Sequence, residues 1–168
     1  MIDETKFKSV FKAYYNPLCN FASSIVNDKK LAQDVVQDVF TNLWAKRKSL
    51  QLGEQEKSYL FTAVKNKALE KLRKKASDAD VAQVLTIMRD QSVEAQADKY
   101  LLREEINKSV RQLPPKCQQI FKLSKENGLT YSEIAEELGI SVKTVENQIG
   151  KAYRMLRESL AHKVPTLH

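Results

Sequence analysis

Glycine and proline are scarce, at four each in 168 residues. Sandwiches and barrels need many tight turns, so so few turn-forming residues argue for helices throughout. Cysteine is scarcer still. Cys19 and Cys117 stand far apart with no second thiol near either, which excludes a Cys-x-x-Cys metal or redox pair. Two buried thiols in a cytoplasmic chain are the expectation. The two histidines, His162 and His168, both fall in the C-terminal tail, so no His-centred metal site or catalytic triad is available. No window holds ~18 consecutive apolar residues, which removes a membrane span. Met1-Ile2-Asp3-Glu4 lacks the basic segment and apolar run of a secretory signal. No Gly-x-x-x-x-Gly-Lys phosphate loop occurs. No metal, cofactor, small-molecule substrate or enzymatic activity is therefore expected, and the length excludes a full (β/α)₈ barrel.

What is present is charge. Lys and Arg number 28 against 21 Asp and Glu, a net charge of +7. Residues 1–76 carry 15 basic and 8 acidic side chains, net +7; residues 77–97 carry 1 and 4, net −3; residues 98–168 carry 12 and 9, net +3. Two basic blocks around an acidic, small-residue stretch read as two domains, 1–76 and 98–163, joined by a linker at 77–97. Val81, Val84, Leu85, Ile87 and Met88 give that linker a short helix or a sticky patch. The fold class is all-α: two small helical domains with a linker between them.

Apolar residues recur at three- and four-residue steps from Phe7 to Ile25, with Asn16-Pro17 expected to bend or interrupt the helix. Asn27-Asp28 supplies a stop and an N-cap. In the next helix, about Leu31 to Trp44, Leu31, Val35, Val36, Val39, Phe40 and Leu43 share one side. Asp34, Gln37, Asp38, Thr41 and Asn42 form the opposite arc, with Trp44 at its border. Acceptors beside an edge tryptophan suit docking on a basic protein partner. Lys46 to Glu56 lacks a period and reads as a loop. The helix from about Glu56 to Lys75 buries Leu60, Val64, Ala68 and Leu72, with Phe61 and Leu69 added to that side, and its run from Lys57 holds seven basic residues against Glu70 alone. Tyr59 and Phe61 in that run favour a nucleic-acid partner.

The second block opens with a helix at about Asp98 to Gln112, and Leu113-Pro114-Pro115 stops it. After Asn127-Gly128, Thr130 and Glu133 form a capping box, Gly139 permits a tight turn, Ile140 plugs the helix angle and Ser141 caps a second helix. Val142, Val145, Ile149, Ala152, Tyr153 and Leu156 turn inward; Lys143, Asn147, Gly150, Lys151 and Arg154 turn outward together. This is a helix-turn-helix, whose second helix lies in the major groove. Lys143 and Asn147 can read bases, while Ser141, Thr144, Lys151 and Arg154 can bind phosphates.

Taken in order, these motifs resemble the extracytoplasmic-function (group 4) sigma factors of the sigma-70 superfamily, the small specificity subunits of bacterial RNA polymerase. Asp34-Val35-Val36-Gln37-Asp38-Val39-Phe40 with Leu43-Trp44 resembles the core-binding helix. Tyr59-Leu60-Phe61 and Asn66-Lys67-Ala68-Leu69, running to Leu72-Arg73, resemble the −10-element helix. Leu113-Pro114-Pro115, Gly128-Leu129-Thr130 and the helix-turn-helix resemble the −35-reading domain, so the likeness covers roughly residues 5–160. Lys65 and Glu70 stand where Arg and Asp are common, and Asn147 where Ser is frequent; Glu146-Asn147 is similar to the iron-citrate-type subgroup.

The resemblance implies that Asp34, Gln37, Asp38, Thr41, Asn42 and Trp44 bind the β′ coiled-coil of core polymerase, while the second domain sits on the β flap. It implies that Lys57, Tyr59, Lys65, Asn66, Lys67, Lys71 and Arg73 meet melted −10 DNA. It also implies that Ser141, Lys143, Thr144, Asn147, Lys151 and Arg154 meet the −35 duplex. Promoter DNA, core polymerase and an anti-sigma factor are the partners it implies. A helix-turn-helix regulator acting on duplex DNA without polymerase is the alternative, and a protein-only adaptor is a further one. The basic first block argues against a sensor domain, and the outward Lys143/Asn147/Lys151/Arg154 face against a pure adaptor.

Overall fold

The computed structural model describes residues 1–89 and 91–161; His162, His168 and the last residues of the expected second domain lie outside them. The described residues form helices and no strand: α1 (Glu4–Val26), α2 (Lys29–Ala45), α3 (Glu56–Lys75), α4 (Asp78–Arg89), α5 (Val93–Arg111), α6 (Pro115–Lys125), α7 (Tyr131–Leu138) and α8 (Val142–Ala161). A 3₁₀ turn at Gly53–Gln55 lies in the α2–α3 loop.

Asp3 starts α1 by accepting from the Lys6 N–H at 2.7 Å. The helix runs unbroken through Pro17, contrary to the interruption expected there. Proline removes one backbone donor, but here Pro17 is fully buried, as are Leu18 and Phe21, and the burial of that face offsets the lost bond. Asn27 then closes α1 in the left-handed region at φ 52°, and Asp28 caps α2 through the Leu31 N–H at 3.1 Å. Stop and start fall on adjacent residues.

The chain divides into two compact units, Met1–Arg103 and a second from Glu104 onward. In the first, α1, α2 and α3 pack on one another around Leu18, Phe21, Val35, Val36, Leu60, Phe61 and Val64, all fully buried. Phe61, read from the sequence on the buried side of its helix, is a core residue, its ring 5.2 Å from Phe21, which leaves Tyr59 as the aromatic of that basic run near the surface. Residues 77–97, expected as a linker, are mostly helical. Val81, Met88 and Ala97 are buried in the first unit's core, as is Tyr100, whose ring lies 5.5 Å from Phe21. Charge marked the segment as different, yet its apolar positions find core partners, and burial decides where a helix packs.

In the second unit, Val110, Leu113, Cys117, Ala152 and Leu156 form one apolar cluster. Ile120, Ile134, Ala135, Val145 and Ile149 form another, with Ile140 packed against it. Cys117 is buried and Cys19 only half-buried, and both are unpaired. Two residues expected inside are outside: Val142 and Tyr153 are each 41% exposed. Tyr153 stands at the rim, edge-on to Phe121 at 5.9 Å with the Lys125 ammonium over its face. An amphipathic tyrosine suits that border.

Candidate docking and nucleic-acid interfaces

The first candidate face is on α2. Asp34, Gln37, Thr41 and Asn42 are exposed and Asp38 is half-exposed, because the apolar residues between them occupy the core. Trp44 is 37% exposed. The Arg47 guanidinium stacks 4.0 Å from the indole centroid and donates to the Trp44 carbonyl at 2.9 Å, which fixes the ring. Beside it Phe7, Phe11, Phe40 and Trp44, with Gln37 and Thr41 at the edge, line an open apolar hollow of about 510 Å³. Phe7 meets Trp44 edge-on at 5.0 Å, and Phe11 is 38% exposed. In the sequence both phenylalanines belong to the apolar period that runs from Phe7 to Ile25. Their i, i+4 spacing was the available signal, but only the packing of α1 against α2 turns it toward Trp44.

The second face is on α3. Tyr59 is half-buried and Asn66 exposed, and with Gln55, Ser58, Thr62 and Ala63 they line a groove of about 410 Å³. On its other side Tyr59, Ala63, Asn66 and Lys67 border a second hollow with Asn42 and Lys46. Ser58, Thr62 and Ala63 were not singled out in the sequence, because small and hydroxyl side chains in a helix carry no motif. Lys57 and Lys65 line neither hollow. The Lys57 ammonium is held at 2.7 Å by Asp98, and Ser58 donates to Glu94 at 3.3 Å. Lys71 pairs with Asp38 at 3.7 Å and Lys67 with Glu70 at 3.8 Å. Arg73 is exposed in the last turn.

The third face is on α8. The capping box that starts α7 is complete: the Thr130 N–H donates to Glu133, and the Glu133 N–H to Thr130, both at 3.1 Å. The Thr130 N–H first, and then the Thr130 hydroxyl, hold the Glu133 carboxyl below its ordinary range. Gly139 turns the chain at φ 66°, where only glycine is unstrained. Ser141 then accepts from the Thr144 N–H at 3.0 Å, and the two hydroxyls lie 2.9 Å apart. Lys143, Asn147, Lys151 and Arg154 all stand exposed, and Gly150 is half-exposed. Glu146, marked in the sequence only for its likeness to one subgroup and not as a site residue, shares that face 3.8 Å from Lys143.

A stapled helix-turn-helix with a basic outward face, and a three-helix unit carrying an acidic face beside a polar groove, suit a helical DNA-binding transcription protein. Residues 10–77 match the Sigma-70 region 2 family, and residues 103–156 match Sigma-70, region 4. The chain belongs to the sigma-70 family, as an extracytoplasmic-function sigma factor that directs RNA polymerase to promoters.

Among curated relatives, the ferric citrate uptake sigma factor FecI of Escherichia coli (strain K12) is 26% identical, over 87% of this chain and 86% of that one. The ECF RNA polymerase sigma factor SigW of Bacillus subtilis (strain 168) is 25% identical, over 94% and 90%. The sigma factor CarQ of Myxococcus xanthus is 26% identical, over 92% and 88%. The iron-citrate type is thus only one of several relatives of similar identity. The solved structure of CnrH in complex with the cytosolic domain of CnrY aligns over 95% of this chain and 90% of that one, at 22% identity and a TM-score of 0.39. No helix among the described residues is long and apolar enough to cross a membrane.

Proposed function

We propose that the three faces divide the work of promoter recognition. The exposed arc Asp34, Gln37, Asp38, Thr41 and Asn42 docks on a basic helical element of the β′ subunit. Trp44 and the phenylalanine hollow take an apolar side chain of that element. The α3 groove at Tyr59 and Asn66 receives an unstacked base of the melted −10 strand, with Lys57, Lys65, Lys67, Lys71 and Arg73 along its phosphates. Unstacking costs a few kcal/mol, and stacking on an aromatic returns about 1–3 kcal/mol per base, so capture offsets melting without a nucleotide fuel. The second unit, from Glu104 onward, seated on the β flap, reads the −35 duplex through α8: Lys143 and Asn147 at base edges, Ser141, Thr144, Lys151 and Arg154 at phosphates. An anti-sigma factor completes the partners that membership implies. The chain acts by binding, not as an enzyme, and works in the cytoplasm with the polymerase.

The observation that carries this reading is the exposed Lys143, Asn147, Lys151 and Arg154 face on a helix fixed by the Gly139 turn and the Ser141 cap. Run-off transcription with purified core polymerase tests it. Lys143→Ala and Asn147→Ala should lower promoter-specific transcripts about tenfold or more, the worth of a base contact, and leave core binding intact. Equal promoter use by variants and wild type would remove α8 from base reading.

A further inference from the structure

Glu146 is an acid on a face built for a polyanion. At about 100° per residue, Lys143, Glu146, Asn147 and Gly150 share an arc of about 100° in the first turns of α8, where a recognition helix meets base edges. Its carboxylate is exposed and lies 3.8 Å from the Lys143 ammonium. An ionised carboxylate only accepts hydrogen bonds. Phosphate oxygens, guanine O6 and N7, adenine N7 and thymine O4 are acceptors too, so each repels it. Two groups in the major groove donate: the amino groups of cytosine N4 and adenine N6. The adenine amino group stands beside the N7 acceptor, which would face the second carboxylate oxygen. Cytosine carries a C–H there instead. Cytosine is the match.

The neighbouring lysine extends the argument. Within a C·G pair, cytosine N4 and guanine O6 lie one hydrogen bond apart, about 2.9 Å. An acceptor on Glu146 and a donor on Lys143, held 3.8 Å apart, meet those two atoms in that order. We infer that Lys143 and Glu146 act together as the reader of one C·G pair in the −35 element. Glu146 takes the cytosine amino group and Lys143 the guanine O6. This rests on the reading of α8 as the recognition helix and names a specificity determinant within it. Before DNA arrives, the pair neutralises the carboxylate.

The test is run-off transcription by the full chain with core polymerase, across templates randomised in the −35 element. Wild type should prefer a C·G pair at one position by about tenfold or more, the usual worth of such a contact. Glu146→Ala should flatten that position to within about twofold and leave the others unchanged; Glu146→Gln, which keeps an acceptor, should retain part of the preference. Each variant is first shown to bind core polymerase as wild type does, which its exposed position favours. A uniform gain on every template would make Glu146 a mere repulsive charge and overturn the inference, as would an unchanged profile. If Asn147→Ala shifts a preference while Glu146→Ala shifts none, this inference alone falls. If neither variant nor Lys143→Ala shifts any, the recognition-helix reading falls with it.

Discussion

Asp38 has two claims on its carboxylate: it lies on the docking arc of α2, and it pairs with Lys71 of α3 at 3.7 Å. Both partners are partly exposed, so the pair itself contributes little, about 0–1 kcal/mol. The docking claim is larger if the arc is an interface, because a charge lost from a desolvated contact costs more than one lost from water. Asp38→Ala should therefore weaken association with core polymerase about fivefold or more while barely changing stability. A pull-down titration with unchanged affinity would take Asp38 off the docking face.

Tyr14 offers a pH test at the same scale. Burial first, then the charge of Glu56 and a 3.4 Å hydrogen bond donated to its carboxylate, push the phenol up to about 12. Against about 10 in the unfolded chain, the neutral phenol is favoured by folding. That stability is fully present below pH ~10 and is lost as pH rises through ~12. Tyr14→Phe should flatten the alkaline fall in stability, read as denaturant midpoints at pH 9 and 11.5. An identical slope would separate Tyr14 from it.

At the level of elements, two glycines of the second unit should respond in opposite senses. Gly139 sits at φ 66° with open space where a Cβ would stand, so Gly139→Ala meets only backbone strain, about 1–2 kcal/mol. Gly150 is helical, and its nearest neighbour to an added Cβ is the flexible Arg154 guanidinium at 3.8 Å. Gly150→Ala should raise stability by roughly 0.5–1 kcal/mol. Thermal melts followed by helix signal distinguish the two. If the smallness of Gly150 serves close approach to the DNA backbone, the stabilised variant will still transcribe less; full activity would refute that use. The same elements show where sequence reading reached and where it stopped. Thr130, Glu133, Gly139 and Ser141 were legible because caps and turns are local chemistry, settled within four residues. Val142 and Tyr153 were misassigned because an apolar side chain at a helix border can face either way, and only the neighbouring helix decides.

For the whole molecule, the uneven charge sets expectations about binding. The larger excess, +7, falls on residues 1–76, which carry the proposed docking face and groove, while residues 98–168 hold only +3. Duplex binding by the free chain should be weak and salt-sensitive, since few cations of the second block displace counterions. Lys151→Ala should weaken binding equally across templates and reduce the salt slope by about one, whereas Asn147→Ala should act at one base position. A template-dependent loss in Lys151→Ala, measured by titrations at several salt concentrations, would reverse those two roles.

The sequence by itself determined the helical class, the helix-turn-helix and the residues along each polar arc. Scarce turn-formers, 3.6-residue periodicity and capping chemistry all act over short stretches of chain. It also determined family membership, because three motifs in order are read without any contact. Only the tertiary structure decided that residues 77–97 pack on the first unit, and that Phe7 and Phe11 join Trp44 around an open hollow. Only it paired Lys71 with Asp38 across two helices. These depend on which apolar faces bury one another, and that choice is made between segments far apart in the chain.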